Sequence, residues 1–344
     1  MFAYTGRGLI KNLSSDVSLK VIELPFEHPN LILNDHETLV KIIDFEHKNF
    51  SFQDSVLLHC YSADSYTGRD VFKQAYGYTF FDLPISKEIV AGCNKMDKIF
   101  TPSVYHQKEL INSGVTKPVI PIPPGVDEKL FFPVDKVLNP EGKFTFLSIG
   151  EFDPLKNGFD LIINAFLECF HDKNDVRLIL FWLNNNNSLD DITQMSLFIR
   201  EQKENKGITE SNILLFNAQL YERDLKMLYS SADVFLAPFR YNHWPREIFE
   251  SLLCEIPVIT TGVEYIRDFN NFSSFVNYSL AIASISPEKA IKYANPDYEQ
   301  LKYIMIDCYN NYNKYKQNAI EGRNFLLNNY SWERVNNKLL KELA

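Results

Sequence analysis

Arg246 and Glu250 stand four residues apart in a run from Asp233 to Thr261 whose residue types suit phosphate and diol binding. Val234 to Ala237 reads as a short buried strand that Pro238 stops. A loop of polar and bulky residues follows, and a helix begins near Pro245, where proline's fixed φ suits a first helical turn. That helix ends before Pro257, and Val258 to Thr260 starts the next strand. Strand, loop, helix, strand is a unit of a parallel sheet, and such sheets bind ligands at the carboxyl ends of their strands. A helix N-terminus there presents free N–H groups and a positive dipole end to a phosphate. Glu250, one turn further in, offers two acceptor oxygens to a vicinal diol such as a ribose. Two plainer readings stand beside these: Glu250 as a solvated helix residue, and Arg246 as its ion-pair partner.

The same run resembles the donor-site segment of the family-4 (group 1) glycosyltransferases, which have the GT-B fold. In that family a loop glutamate precedes the helix glutamate by eight positions. Glu250 matches the second, followed by Cys254 and then Pro257, Val258 and Ile259, and Trp244 and Arg246 match one branch of the family. Asn242 stands in place of the first glutamate, and His243 and Pro245 in place of glycines. Glu255 replaces the glycine that ends the helix, which predicts a left-handed non-glycine residue there at a cost of about 1 kcal/mol. The likeness extends along the chain through Tyr78-Thr79, Asp82 to Pro84, Asp97 to Ile99, Thr101 to Ser103, Ser113 to Val115, Pro124 to Asp127 and Phe132-Pro133. It ends on Asn295 to Asp297 and Ser331 to Glu333.

The resemblance implies an α/β protein of two Rossmann-like domains facing across a cleft. Residues 1–137 would form the acceptor domain and 138–328 the nucleotide-sugar domain, with 329–344 a helix crossing back to the first. The polar, turn-rich stretch from Lys136 to Gly142 is the candidate linker. Strands are expected at Leu19 to Leu24, Ser55 to Tyr61, Lys98 to Thr101 and Val119 to Ile122. In the second half they are expected at Phe144 to Ile149, Val176 to Trp182 and Asn212 to Phe216. Helices are expected over Phe159 to Phe170, up to about Lys206, over Glu222 to Ser230, and from Asp297 almost to the end. The family opens with a strand and a glycine-rich loop, whereas only Met1 to Thr5 precede Gly6-Arg7-Gly8, so the first strand is expected to be short or missing.

By the same resemblance the activity is transfer of a sugar from a nucleotide-diphospho sugar to a hydroxyl acceptor, a glycan or glycolipid, with retention of configuration. Lys156 lies six residues after Gly150, where the family has a lysine on the donor's diphosphate, although Glu151 occupies the place of a second basic residue. Arg246 could supply that missing contact. The donor-binding set is then Lys156, Arg246, Glu250, His243, Trp244 and Glu247. Asn242 would hydrogen-bond a sugar hydroxyl without charge, and His59, at the end of a strand, would face the transferred sugar or else sit in the core. Asn217 to Leu220 follow a strand end where this fold holds the base, and Asn184 to Asn187 read as a solvated loop. No Asp-X-Asp occurs, and His243 with Glu247 lacks a third ligand, so neither a metal nor another cofactor is expected. The departures at Glu151, Asn242 and Glu255 also fit a GT-B pseudoenzyme that binds nucleotide, glycan or a partner protein without turnover. A phosphorylase or epimerase on the same fold is a third reading.

Composition narrows the partners. The 344 residues, 45% of them hydrophobic, suffice for two α/β domains. A net charge of −9 argues against nucleic acid, while leaving a local basic patch free to touch a membrane. No run of 18 apolar residues or secretory signal is present, and the five cysteines are scattered, so a reduced cytoplasmic setting is expected.

Overall fold

Short apolar runs alternating with capped helices build a parallel sheet in the N-terminal part of the chain. The computed structural model describes residues 2–13, 51–81, 85–136, 139, 141–150, 154–182, 189–217, 220, 222–241, 244–286 and 289–343. Its first elements are α1 (Phe2–Leu13), β1 (Val56–Cys60), β2 (Gln74–Tyr78), α2 (Lys87–Lys95), β3 (Lys98–Thr101), α3 (Val104–Asn112) and β4 (Val119–Pro121). The four strands pair in parallel in the order β1-β2-β3-β4. Ser86 and Ser103 cap α2 and α3, each accepting the N–H three residues on. Asp97 fixes the start of β2, accepting from the Ala75 N–H at 2.9 Å and from Arg69 at 2.6 Å. The expected strand from Leu19 to Leu24 and the motif at Asp82 to Pro84 lie outside the described residues.

The following segment contains β5 (Phe144–Gly150), α4 (Pro154–Asn157), α5 (Phe159–Phe170), β6 (Val176–Trp182), α6 (Leu189–Lys206) and β7 (Ile213–Asn217). It continues with α7 (Glu222–Ser230), β8 (Val234–Ala237), α8 (Arg246–Leu253), β9 (Val258–Thr261) and β10 (Ser274–Val276). Six parallel strands run in the order β10-β9-β8-β5-β6-β7. Every residue of β6 is buried, and its run is apolar apart from Arg177. Phe146, Phe166, Phe170 and Trp182 lead a core shared by the sheet and α5. An antiparallel hairpin, β11 (Tyr278–Ser286) and β12 (Lys289–Pro296), follows; its Ala294 N–H donates to the Arg240 carbonyl at 2.8 Å. α9 (Tyr298–Asn310), capped by Asp297, α10 (Tyr312–Tyr330) and α11 (Trp332–Leu343) complete the chain. No helix among the described residues is long and apolar enough to cross a membrane.

The chain divides into two units, Met1–Asp127 with Leu327–Ala344, and Glu128–Leu326. The division at Asp127 falls before the polar stretch read as the linker. The reason is packing: Phe131 is fully buried beside the Tyr229 ring, and Lys136 forms an ion pair with Asp233. Residues 128–136 thus serve the second unit.

α11 belongs to the first unit. Its Trp332 indole lies between Gly8 and Gly125, where an added Cβ would come within 1.9 Å and 2.3 Å of the ring. Lys98 reaches Glu342 at 2.9 Å, and Lys338 donates to the Pro121 carbonyl at 2.7 Å. At the N-terminus, where a first strand was expected to be short or missing, the chain is helical. Residues 2–13 form a helix, not a short strand, because Thr5, Leu9 and Leu13 are buried at helical spacing. Gly6 has open space around it, whereas Gly8 does not. Gly6→Ala should therefore stabilise the protein by about 0.5–1 kcal/mol through helix propensity. Gly8→Ala should destabilise it by roughly 1–3 kcal/mol through overpacking on Trp332. Urea-unfolding midpoints measure both, and equal shifts would mean that α1 does not pack on Trp332.

Candidate functional site

β5 and β8 are neighbours, and the winding of the second unit reverses between them: β6 and β7 extend to one side, β9 and β10 to the other. In open parallel sheets the crevice at the carboxyl ends of such a pair is where ligands bind. Here the loops from both strands meet. Gly158, at φ +69°, is the N-cap of α5 and lies against Pro238, whose carbonyl would be 2.4 Å from an added Cβ. The Arg240 N–H donates to the Lys156 carbonyl at 2.8 Å. Its guanidinium grips Asp160, in the first turn of α5, with two hydrogen bonds of 2.8 and 2.7 Å. That bidentate hydrogen bonding holds the Arg240 pKa above its ordinary value. Lys156, half-buried at the end of α4, thus stands at the switch point.

α8 begins at Arg246, after Pro245, at the other side of the same seam. Glu250 is not solvated: it is 3% exposed. Its Oε2 accepts the Tyr229 hydroxyl at 2.8 Å, and its Oε1 meets Arg246 Nε at 2.7 Å. Arg246 therefore adopts the ion-pair role that its spacing allowed. Tyr229 comes from α7 and is fully buried, in edge contact with Phe131 and Phe235. Burial first, and then the negative charge of Glu250, raises the Tyr229 pKa well above its ordinary value. The Cys254 thiol is pushed up to about 12 by burial, with the charge of Glu250 adding to it. Sequence reasoning did not find Tyr229, since nothing in a helix pattern says which neighbouring helix its hydroxyl will reach.

The other predicted residues are spread more widely. Trp244 is buried, its ring 5.0 Å from that of Phe249, so it anchors the entry to α8 by packing. Glu247 lies half-buried in the first turn of α8. Asn242 and His243, like Glu151 and Asn184 to Asn187, lie outside the described residues. Of the proposed base-binding stretch, Asn217 ends β7, and 218–219 lie outside as well. His59 belongs to the first unit, at the penultimate position of β1. Its Nε2 is 2.9 Å from the Thr67 carbonyl oxygen and 3.4 Å from the Thr67 backbone nitrogen. Tyr66 stacks on the imidazole at 4.9 Å. No group of three or more His, Cys, Asp or Glu able to hold a metal ion occurs among the described residues. Glu255, as expected, is left-handed at φ +58° and is the only non-glycine residue with positive φ among those described. Its carbonyl accepts from Lys316 Nζ at 2.7 Å.

Residues 134–274 match the family model of the glycosyl transferases group 1. No curated protein sequence matches the chain. The structure is similar to that of HepE from Anabaena in complex with UDP-glucose, at 15% identity over 78% of this chain and 72% of that one, with a TM-score of 0.60. It is also similar to sucrose-phosphate synthase from Thermosynechococcus elongatus, at 16% identity over 94% and 86% of the two chains, with a TM-score of 0.63. A TarM mutant from S. aureus, in complex with Fondaparinux, alpha-GlcNAc-glycerol and UDP, matches at 14% identity over 88% and 58%, with a TM-score of 0.62. The fold is the GT-B fold of glycosyltransferases. The segment from 134 to 274 is similar to the group 1 glycosyl transferases.

The C-terminus of α8 gives a direct test of local strain. Glu255→Gly should stabilise the protein by about 0.5–1 kcal/mol, because glycine adopts positive φ without a Cβ clash. The Lys316 bond to the backbone carbonyl would remain. A calorimetric melting temperature that stays constant or falls would show that the Glu255 side chain contributes more than its backbone costs.

Proposed function

We propose that this chain is a glycosyltransferase that moves a sugar from a nucleotide-diphospho sugar to a hydroxyl acceptor, a glycan or glycolipid. The observation that supports this reading is that the chain leaving β5 carries Lys156, and the chain leaving β8 leads into the helix of Arg246 and Glu250, at a switch point within the segment that matches the group 1 model. The Anabaena structure with UDP-glucose and the TarM structure with UDP support a nucleotide-sugar donor. In this reading the α8 N-terminus, Arg246 and Lys156 face the diphosphate, and Glu250 takes the ribose diol. Asn242 hydrogen-bonds the transferred sugar, with His243, Trp244 and Glu247 framing the donor loop. Transfer retains configuration, and a phosphate oxygen of the donor helps to deprotonate the acceptor hydroxyl. His59 of the first unit is the proposed group beside the transferred sugar. Charge on the leaving diphosphate is met by the basic side chains and the helix N-terminus rather than by a metal.

The residues at 151 and 242 favour one competing reading, a pseudoenzyme that keeps nucleotide binding without turnover. A thermal-shift panel of UDP, GDP, ADP and TDP and their sugars identifies the donor, since a ligand at 100 times its dissociation constant stabilises by about 2.7 kcal/mol. NMR then follows the bound nucleotide sugar with and without acceptors. Transfer or slow hydrolysis is expected, and neither above background would leave only the pseudoenzyme.

Glu250→Gln tests the ribose assignment. It should weaken the nucleoside diphosphate by on the order of tenfold, about 1.4 kcal/mol, and leave the 2′,3′-dideoxy analogue unaffected. Equal losses for the two nucleotides would place the role of Glu250 elsewhere. Lys156→Ala should cost roughly 1.5–3 kcal/mol in diphosphate binding and much less in nucleoside binding.

A further inference from the structure

β11 and β12 form a sheet of two strands, and two strands alone are marginally stable in water. The outer edge of β12 is taken: Ala294 is buried, and its N–H donates to the Arg240 carbonyl at 2.8 Å. The outer edge of β11 is bare. The Asn277 carbonyl accepts the Asp297 N–H at 2.7 Å, so the alternation of an antiparallel ladder turns the N–H and C=O groups of Tyr278, Leu280 and Ile282 away from β12. Among the described residues no strand pairs with them there. Their side chains share one face, half-buried at Tyr278 but 59% exposed at Leu280 and 76% at Ile282. Edge strands are normally blunted by lysines, prolines or inward charges. From Tyr278 to Ser286 there is no charged residue and no proline, and the irregularity at Ser284 to Ser286 lies beyond the apolar stretch. Such an edge is a template for another strand.

We propose that the β11 edge is where a second copy of this chain docks, the two β11 strands pairing antiparallel about a two-fold axis at Leu280. This goes beyond the glycosyltransferase reading and does not depend on it. The strand is complementary to itself. About that axis Leu280 meets Leu280 of the other copy, and Tyr278 meets Ile282, an aromatic and β-branched pair of the kind that stabilises sheets. The N–H and C=O groups that Tyr278, Leu280 and Ile282 turn outward all gain partners, and the two hairpins merge into one sheet. Charge favours a second copy as the occupant. With a net charge of −9, two copies repel over much of their surfaces and approach best where no charge lies, as along β11. A flexible segment of another protein would have to be ordered on binding, whereas a second β11 is already extended and loses less freedom.

Sedimentation velocity of the purified full chain at micromolar concentrations should show a dimer. Leu280→Lys sets two ammonium groups opposite each other at the axis and should raise the dimer dissociation constant by about tenfold or more, with the far-ultraviolet circular dichroism unchanged. Cysteine cross-linking reads the register. Paired Cα atoms at the axis lie about 5.5 Å apart, within reach of a disulfide, so Leu280→Cys should cross-link under mild oxidation. Ile282→Cys should not, because its two copies lie about 13 Å apart along the strands. The wild-type chain, with its own five free cysteines, serves as the blank. If Leu280→Lys does not fold, the two cysteine variants decide the matter. A wild-type protein that stays monomeric overturns the proposal, whether β11 is bare or taken by some other protein in the cell. So does a dimer that survives Leu280→Lys, or one in which Leu280→Cys fails to cross-link. None of these results bears on the β5/β8 site, which the nucleotide panel tests separately.

Discussion

The second unit is organised by the seam where β8 lies along β5. At its amino end the Asp233 N–H donates to the Thr145 carbonyl at 2.8 Å, and the Asp233 carboxylate accepts the Thr145 N–H at 2.9 Å. Midway, the Ser148 hydroxyl donates to the Leu236 carbonyl at 2.7 Å. At the carboxyl end the contact is backbone on backbone, with Gly158 against Pro238 and Arg240 on Lys156. Three kinds of contact thus hold two strands that are far apart in sequence. Because winding reverses at this seam, it is also where helices from both halves of the sheet begin. The N-termini of α5 and α8 and the side chains of Lys156 and Arg246 come from opposite sides of one join.

Glu250 illustrates how stability and use diverge at this join. A buried ion pair contributes little to stability once desolvation is counted, and an apolar residue of similar volume often does as well or better. The neighbourhood is otherwise suited to such a residue, with Phe131, Phe235 and Cys254 close by. A carboxylate kept there, met at one oxygen by a phenol and at the other by a guanidinium, favours a role that packing does not require. Elsewhere in the unit buried polar groups are tied to the frame: Arg177 donates to Thr145 and Asn139, at the end of β5 remote from the switch point.

How much of this was legible depended on which interactions decide each element. α5, β6, α7 and β8 have the bounds read from the sequence, because apolar periodicity and helix-stop residues there agree with the packing. β2 was not read, as Gly77 breaks its pattern; the glycine is needed because the Tyr66 ring would lie 2.1 Å from a Cβ. The β11–β12 hairpin was missed for another reason. Its Leu280, Ala281, Ile282 and Ala283 alternate between large and small rather than between apolar and polar, and Leu280 and Ile282 end up exposed. α1 owes its helix to Trp332 at the far end of the chain, a contact that local propensity does not contain. In the site, the spacing of Arg246 and Glu250 was readable as an i,i+4 pair. The third member, Tyr229, depends on how α7 and α8 lie together, which only the packing reveals.

The departures from the group 1 pattern do not all weigh the same way. Glu255 stands where a helix-ending glycine is expected, and it takes the left-handed conformation that a glycine would take. The structure absorbs the cost through α10, whose Lys316 reaches the Glu255 carbonyl at 2.7 Å and lies 3.6 Å from its carboxylate. Burial lowers the Lys316 pKa while Glu255 pulls it back up, the balance expected of a lysine recruited to cap a helix end. Here the geometry survives a change of residue because a neighbouring helix supplies what the backbone lost. That departure bears on stability and leaves the course of α8 unchanged. Arg246 and Glu250 lie on that helix as an ion pair, and in the reading proposed above the question of turnover rests on the residues that would touch the sugar and its phosphates.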